Sequence, residues 1–321
     1  MKQFFTLLAL ICAVQFSVAQ RGKIIQPATP AINPMDPNGD GYITTAPPNA
    51  QPFSPLVAGG YYVPEFEYKM FPLPKVQDEV NGDNQTGPNC GLSDLMPDTF
   101  GYSVYAHKDS RNNVIFRFRL GSDANSVQSW NILIDTDGKF GNTGASADPD
   151  YNSVNPGFEL NLTLVRKNNP GVFVTNVNGV SSCPTPGLVY PLTSNFQSSV
   201  ADLESCGDPD VFYDFWVPFD DGIAGNGVDV KDAFGITLTT GLRFVATTSQ
   251  STSCAFNGSA ADIGGIDNDD PLYQNNELAA FLALTTSQCP TQVNDLCSTC
   301  VGFSAGPEAP TSNEPNKAGQ T

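Results

Sequence analysis

The sequence predicts an all-β protein, an antiparallel two-sheet β-sandwich of jelly-roll type with long loops. Three observations predict it. Apolar and polar residues alternate with period two in one segment after another; Asn-Gly, Asp-Gly, Pro-Gly or Asp-Pro pairs fill nearly every gap; and only residues 276–284 have a composition that favours a helix. Seven or more strands with almost no helix between them pack most economically as two facing sheets. With 321 residues, 40% of them hydrophobic and 15% charged, the chain can bury a sizeable core.

Taken in order, residues 1–19 read as a cleavable export signal. Lys2 precedes an apolar run over 4–14, and Ser17-Val18-Ala19 before Gln20 is the small-x-small pattern of a signal peptidase site. The run is too short to span a membrane, and no later stretch approaches the roughly 20 apolar residues that a span needs. Ile11 before Cys12, where a lipoprotein signal has a small residue, argues against a lipid anchor.

Residues 20–60, rich in Pro, Asn and Gly, read as an extended lead-in around an acidic loop, Asp36-Pro37-Asn38-Gly39-Asp40-Gly41-Tyr42-Ile43. Oxygen side chains at Asp36, Asn38 and Asp40, a Gly for the bend and an apolar anchor suit a hard cation that takes six or more oxygens, and calcium is the expected ion. The twelfth position, where an EF-hand has its bidentate Glu, is Pro47. The same residue types also build plain Asn-Gly and Asp-Gly turns. Both readings stand at this point.

Residues 61–290 read as the sandwich, with strands over 102–107, 114–120, 130–134, 158–165, 172–177, 211–219 and 236–248. The strand at 130–134 runs into Asp135-Thr136-Asp137-Gly138, and Asp148 and Asp150 follow about a dozen residues later. Carboxylates gathered at a strand end, with glycines at 138, 141 and 144 to turn the backbone, make a second candidate calcium site from Asp135, Asp137 and Asp148. A third acidic patch, Asp262 with 267–270, relieves its repulsion either through a bound ion or through solvent and salt. Arg117 and Arg119 project from the face opposite Phe116 and Phe118, and in so acidic a chain they are expected to pair with carboxylates such as Glu159 or Asp214.

Residues 291–321 hold a C-x-x-C, Cys297 to Cys300, and a Pro/Ser/Asn/Gly stretch of linker composition that suits either a tail or a connection to further domains. Seven cysteines remain after the leader is removed, and in an oxidising compartment most should pair. Cys183 with Cys206, Cys254 with Cys289 and Cys297 with Cys300 are the expected bridges, with Cys90 left over.

Composition also excludes a partner class. Loss of Lys2 with the leader leaves 33 acidic against 14 basic residues, and nucleic acid binding needs a basic face. A polysaccharide partner is compatible with Trp130, Trp216 and the many Tyr and Phe, although both tryptophans lie in segments that read as core. Catalysis has little support: the one histidine, His107, matches no nucleophile motif, and none of Glu65, Glu67, Glu159 or Glu204 sits in a recognisable catalytic sequence.

Several segments in order carry a resemblance: 33–43, Gly87-Pro88-Asn89-Cys90-Gly91-Leu92-Ser93-Asp94, 114–120, 134–141, 213–219 and 242–248. Over about residues 30–270 the chain resembles the N-terminal region of large secreted surface proteins of the Bacteroidetes, which commonly continue into immunoglobulin-like repeats and a gliding-motility-associated, type IX secretion sorting domain. The order of motifs is also similar, more loosely, to family 9 carbohydrate-binding modules, which are β-sandwiches. The resemblance implies an exported protein of the outer surface or medium, although the repeats and sorting domain are absent from this sequence. The expected function is a non-enzymatic, calcium-stabilised module of an adhesion or gliding-associated protein that binds a surface polysaccharide. The alternatives are a sandwich-fold glycoside hydrolase and a purely structural cap before a repeat array.

Overall fold

A computed structural model describes residues 22–29, 33–36, 39, 41–43, 56–57, 61–62, 70–123, 126–182, 184–201, 206, 209–251, 255–257 and 260–297. The export signal, Asn38, Asp40, Glu65, Glu67, Cys183, Glu204, Cys254, Cys300 and the C-terminal stretch lie outside the described residues.

Alternation becomes strand wherever both faces find cover. The strands are β1 (Ile24–Gln26), β2 (Leu56–Val57), β3 (Tyr61–Tyr62), β4 (Phe71–Pro72), β5 (Val104–Lys108), β6 (Asn113–Leu120), β7 (Ser129–Asp135), β8 (Leu160–Val165), β9 (Gly171–Asn176), β10 (Leu188–Tyr190), β11 (Phe196–Val200), β12 (Val211–Pro218), β13 (Gly241–Ser249), β14 (Ala260–Ile263) and β15 (Thr291–Gln292). They form a six-stranded sheet in the order β1-β11-β12-β6-β5-β4 and a seven-stranded sheet in the order β10-β9-β8-β7-β13-β14, with β15 beside β13; β2 and β3 pair separately. All pairings are antiparallel. The all-β two-sheet expectation therefore holds.

Side chains between the sheets form the main core. Phe116 of the first sheet packs against Phe215 beside it and Phe244 of the second sheet, and Trp130 packs edge-on against Tyr213 at 4.8 Å between ring centroids. Both tryptophans are buried, so neither offers a face to a sugar. Trp130 Nε1 donates to the Leu92 carbonyl at 2.9 Å, which satisfies the indole inside the core.

The outer faces are covered as well. Met35 and Ile43, on either side of the acidic loop, pack with Ile115, Phe212 and Trp216 over the first sheet. The helix Glu277–Ser287, capped by the Asn276 side chain, sets Phe281 and Leu284 against Phe158, Leu133 and Val245 over the second. Part of the lead-in is itself a strand, β1, which pairs with β11. The expected strand 236–248 is shorter, because 237–240 is a tight turn closed by the Thr240 N–H on the Thr237 carbonyl.

Covering the first sheet buries its arginines. Arg117 lies opposite Asp214 in register and binds it through Nε at 2.7 Å and Nη2 at 3.0 Å. Arg119 binds Asp210 through Nη2 at 2.7 Å and Nε at 3.2 Å. Pairing with carboxylates is thus correct, with Asp214 and Asp210 as the partners in place of Glu159, which lies at the second sheet.

The disulfide pattern is a correction. Cys90, expected to be unpaired, is bonded to Cys206, so Cys206 is not available to Cys183, and Cys289 carries an exposed free thiol. Sequence separation hides this pair: 116 residues lie between partners that the fold brings to 5.8 Å between Cα atoms. Gly121 makes the approach feasible, since a Cβ there would come within 2.5 Å of the Cys90 carbonyl group.

Two outcomes follow from this packing. Arg117→Met should lower the unfolding free energy in urea by about 3 to 5 kcal/mol, because it strands the Asp214 charge, whereas the double change with Asp214→Leu should recover most of the loss. Cys90→Ala should cost about 2 to 5 kcal/mol, and a tryptic map under non-reducing conditions should contain a Cys90–Cys206 peptide that reduction separates.

Candidate metal centre

The backbone delivers three carboxylates to one end of the second sheet. β7 ends at Asp135, whose side chain accepts the N–H groups of Asp137 at 3.2 Å and Gly138 at 2.8 Å and so folds the following turn. Gly138 takes that turn at a φ of 74°. Glu159 immediately precedes β8, and its N–H bonds the Ile134 carbonyl, which places it across from Asp135. Its Oε2 accepts from the Thr136 amide at 2.6 Å and the Thr136 hydroxyl at 3.0 Å. One oxygen from each of Asp135, Asp137 and Glu159 then lies within 4.8 Å of the others.

Charge at this end is partly compensated. Arg243, opposite Asp135 on β13, reaches Asp135 Oδ2 at 3.1 Å, and Lys139 Nζ lies 3.4 Å from Asp137. Burial pushes the Glu159 carboxyl up to about 8, reinforced by the charges of Asp135 and Asp137 and opposed by the Thr136 hydrogen bonds. Asp135 is also raised, chiefly by burial, against the pull of the Gly138 amide and Arg243. An oxygen-only donor set of this kind suits a hard cation such as calcium better than zinc or copper.

The expected ligands divide. Asp135 and Asp137 belong to the cluster, and Asp148 stands beside it: its carboxyl is raised by burial and then by Asp137 and Asp150, but it is not among the three convergent oxygens. Gly157 makes room for it, because a Cβ there would lie 2.8 Å from Asp148 Oδ2. Asp36 is elsewhere, over the outer face of the first sheet, where its carboxylate accepts the amides of Gly39 at 2.9 Å and Gly41 at 3.2 Å. Its loop partners Asn38 and Asp40 lie outside the described residues.

Glu159 is the ligand that sequence reasoning left out of the site. It is 24 residues from Asp135, but the polar phase of 158–165 already put it on the outer face, and knowing that β7 and β8 pair would have placed it.

Comparison of the chain with protein-family models, with curated proteins and with solved structures gives no match.

If the cluster binds calcium, Asp135→Asn and Glu159→Gln should each weaken binding by at least about tenfold, or about 1.4 kcal/mol, in isothermal titration. Asp148→Asn should have a smaller effect and Asp36→Ala none on this site.

Proposed function

We propose that the protein is an exported, non-enzymatic β-sandwich module of the cell surface or medium, stabilised by calcium, which serves adhesion by binding a polysaccharide. The observation that carries this reading is the convergence of Asp135, Asp137 and Glu159 at paired strand ends of a sandwich covered on both sides. A cation there joins the β7–β8 connection to the start of β13, where Arg243 is the ion-pair partner of Asp135. With the tryptophans in the core, Phe100, half exposed beside Tyr102, is the described aromatic surface best suited to a sugar face.

Asp135 and Glu159 also have the proximity of a glycosidase pair, and the raised Glu159 has the character of a general acid. Against that role, Asp135 is fully buried and already bound to Arg243, and Asp137, the exposed carboxylate of the cluster, is paired with Lys139. A module reading therefore accounts for the cluster better.

An ion present at 100 times its dissociation constant stabilises the native state by about 2.7 kcal/mol. For a domain of this size, chelation should lower the melting temperature by about 5 to 10 °C. Glycan-array binding without release of reducing sugar is the expected functional result. A melting curve indifferent to chelator would remove calcium from the reading, and reducing sugar released by the wild type but not by Glu159→Gln would replace the module with an enzyme.

A further inference from the structure

A second group of carboxylates lies at the other end of β13. Asp262 on β14 pairs in register with Thr248, five residues along β13 from Arg243, or about 17 Å of strand. Glu79 and Asp83 come to it from the loop before β5, and one oxygen from each of the three lies within 4.8 Å of the others. Glu79 is 3% exposed, Asp83 2% and Asp262 0%. Among the described residues none of the three has an ion-pair partner, in contrast to the neutralised Asp210, Asp214 and Asp135.

The hydrogen bonds of the cluster are half complete in a telling way. Glu79 Oε2 accepts from the Ser103 hydroxyl at 2.6 Å and the Gly265 amide at 3.2 Å, and Asp83 Oδ2 accepts from the Asn268 amide at 2.8 Å. Asp262 is held by the Leu95 amide and by Asn268 Nδ2, both at 2.6 Å. Yet Glu79 Oε1, Asp83 Oδ1 and the neighbouring amide oxygens Asn84 Oδ1 and Asn268 Oδ1 are buried with no partner. Each such oxygen has given up its hydration with no hydrogen bond in return, a larger loss when the group is charged. Hydrogen bonds thus fix one oxygen of Glu79 and one of Asp83 and leave the other free inside the protein.

We propose that Glu79, Asp83 and Asp262 form an internal site for a divalent hard cation of the calcium class, with the amide oxygens of Asn84 and Asn268 as the nearest neutral donors. Oxygens spanning 4.8 Å fit around one ion with metal–oxygen distances of about 2.4 Å, and the donor set contains no nitrogen or sulfur that would favour a transition metal. The ion clamps the loop to the edge of the second sheet, where the Gln85 amide already bonds the Ala261 carbonyl at 2.7 Å and the Val76 amide bonds the Gly265 carbonyl at 2.7 Å. Because the site is enclosed, the cation is incorporated as the chain folds. The inference is independent of the Asp135 cluster and of any glycan.

The test separates the sites. A protein carrying Asp36→Ala, Asp135→Asn and Glu159→Gln, which removes Asp36 from the loop and two of the three strand-end carboxylates, should retain one calcium per chain by native mass spectrometry after purification in calcium. Adding Glu79→Gln should remove it. Glu79→Gln alone should melt below wild type in calcium but at or above it in chelator, since a neutral amide relieves repulsion that only the ion otherwise offsets. A triple variant without calcium, or a Glu79→Gln protein that melts above wild type in both media, would overturn the proposal. Should Glu79→Gln fail to fold, the calcium count of the triple variant decides alone. Loss of strand-end binding with the internal ion retained would leave this inference standing while removing calcium from the strand-end cluster.

Discussion

Burial of both faces of both sheets is the constraint on which the rest of the structure depends. A sandwich with solvated outer faces can leave its polar phase in water. Here the lead-in covers one outer face and the C-terminal helix with its loops covers the other, so residues of the polar phase enter a low-dielectric interior. Each must then find a partner or a counter-charge. On the second sheet Thr163 donates to Asn131 at 2.9 Å and Asn131 to Ser129 at 3.1 Å, a polar ladder that satisfies part of this face and leaves Asn161 Oδ1 and the Thr247 hydroxyl buried without a partner among the described residues. On the first, arginines and aspartates neutralise one another across β6 and β12.

The same rule orders the acidic clusters. Where a basic residue is in register, as Arg243 is with Asp135, the sheet supplies its own counter-charge. At Glu79, Asp83 and Asp262 it supplies none, and protons or a cation must do so. Burial, then the mutual repulsion of the three, holds Glu79 and Asp262 well above the ordinary carboxylate range, and burial pushes Asp83 up to about 7. The chain's excess of acid is therefore partly an interior property, beyond its effect on solubility.

Long loops are affordable in this fold because they are tied at their middles. The 87–96 loop sends Leu92 and Leu95 into the core, accepts the Trp130 indole, and is bonded through Cys90 to the segment before β12. It joins elements from three parts of the chain, and the Gly121 backbone gives way to let it in.

Period-two alternation determined the seven long strands and the all-β class, because side-chain direction in a strand is a local property of the backbone, and composition marked the helix at Glu277–Ser287. It also put Arg117 and Arg119 on one face and Asp135 and Asp137 at a strand end. Short edge strands such as β1, β10 and β14 were not legible, since three or four residues hold too little pattern and owe their state to a neighbour. Asp214 was foreseen among the partners of the arginines, but Asp210 for Arg119, Cys206 for Cys90, Glu159 for Asp135, and Asp262 for Glu79 were not, since each pair lies 24 or more residues apart in sequence. Which strands pair, and in what register, is settled by packing of the whole sandwich. Only that tertiary choice decided which carboxylates meet a cation of the protein's own and which meet one another.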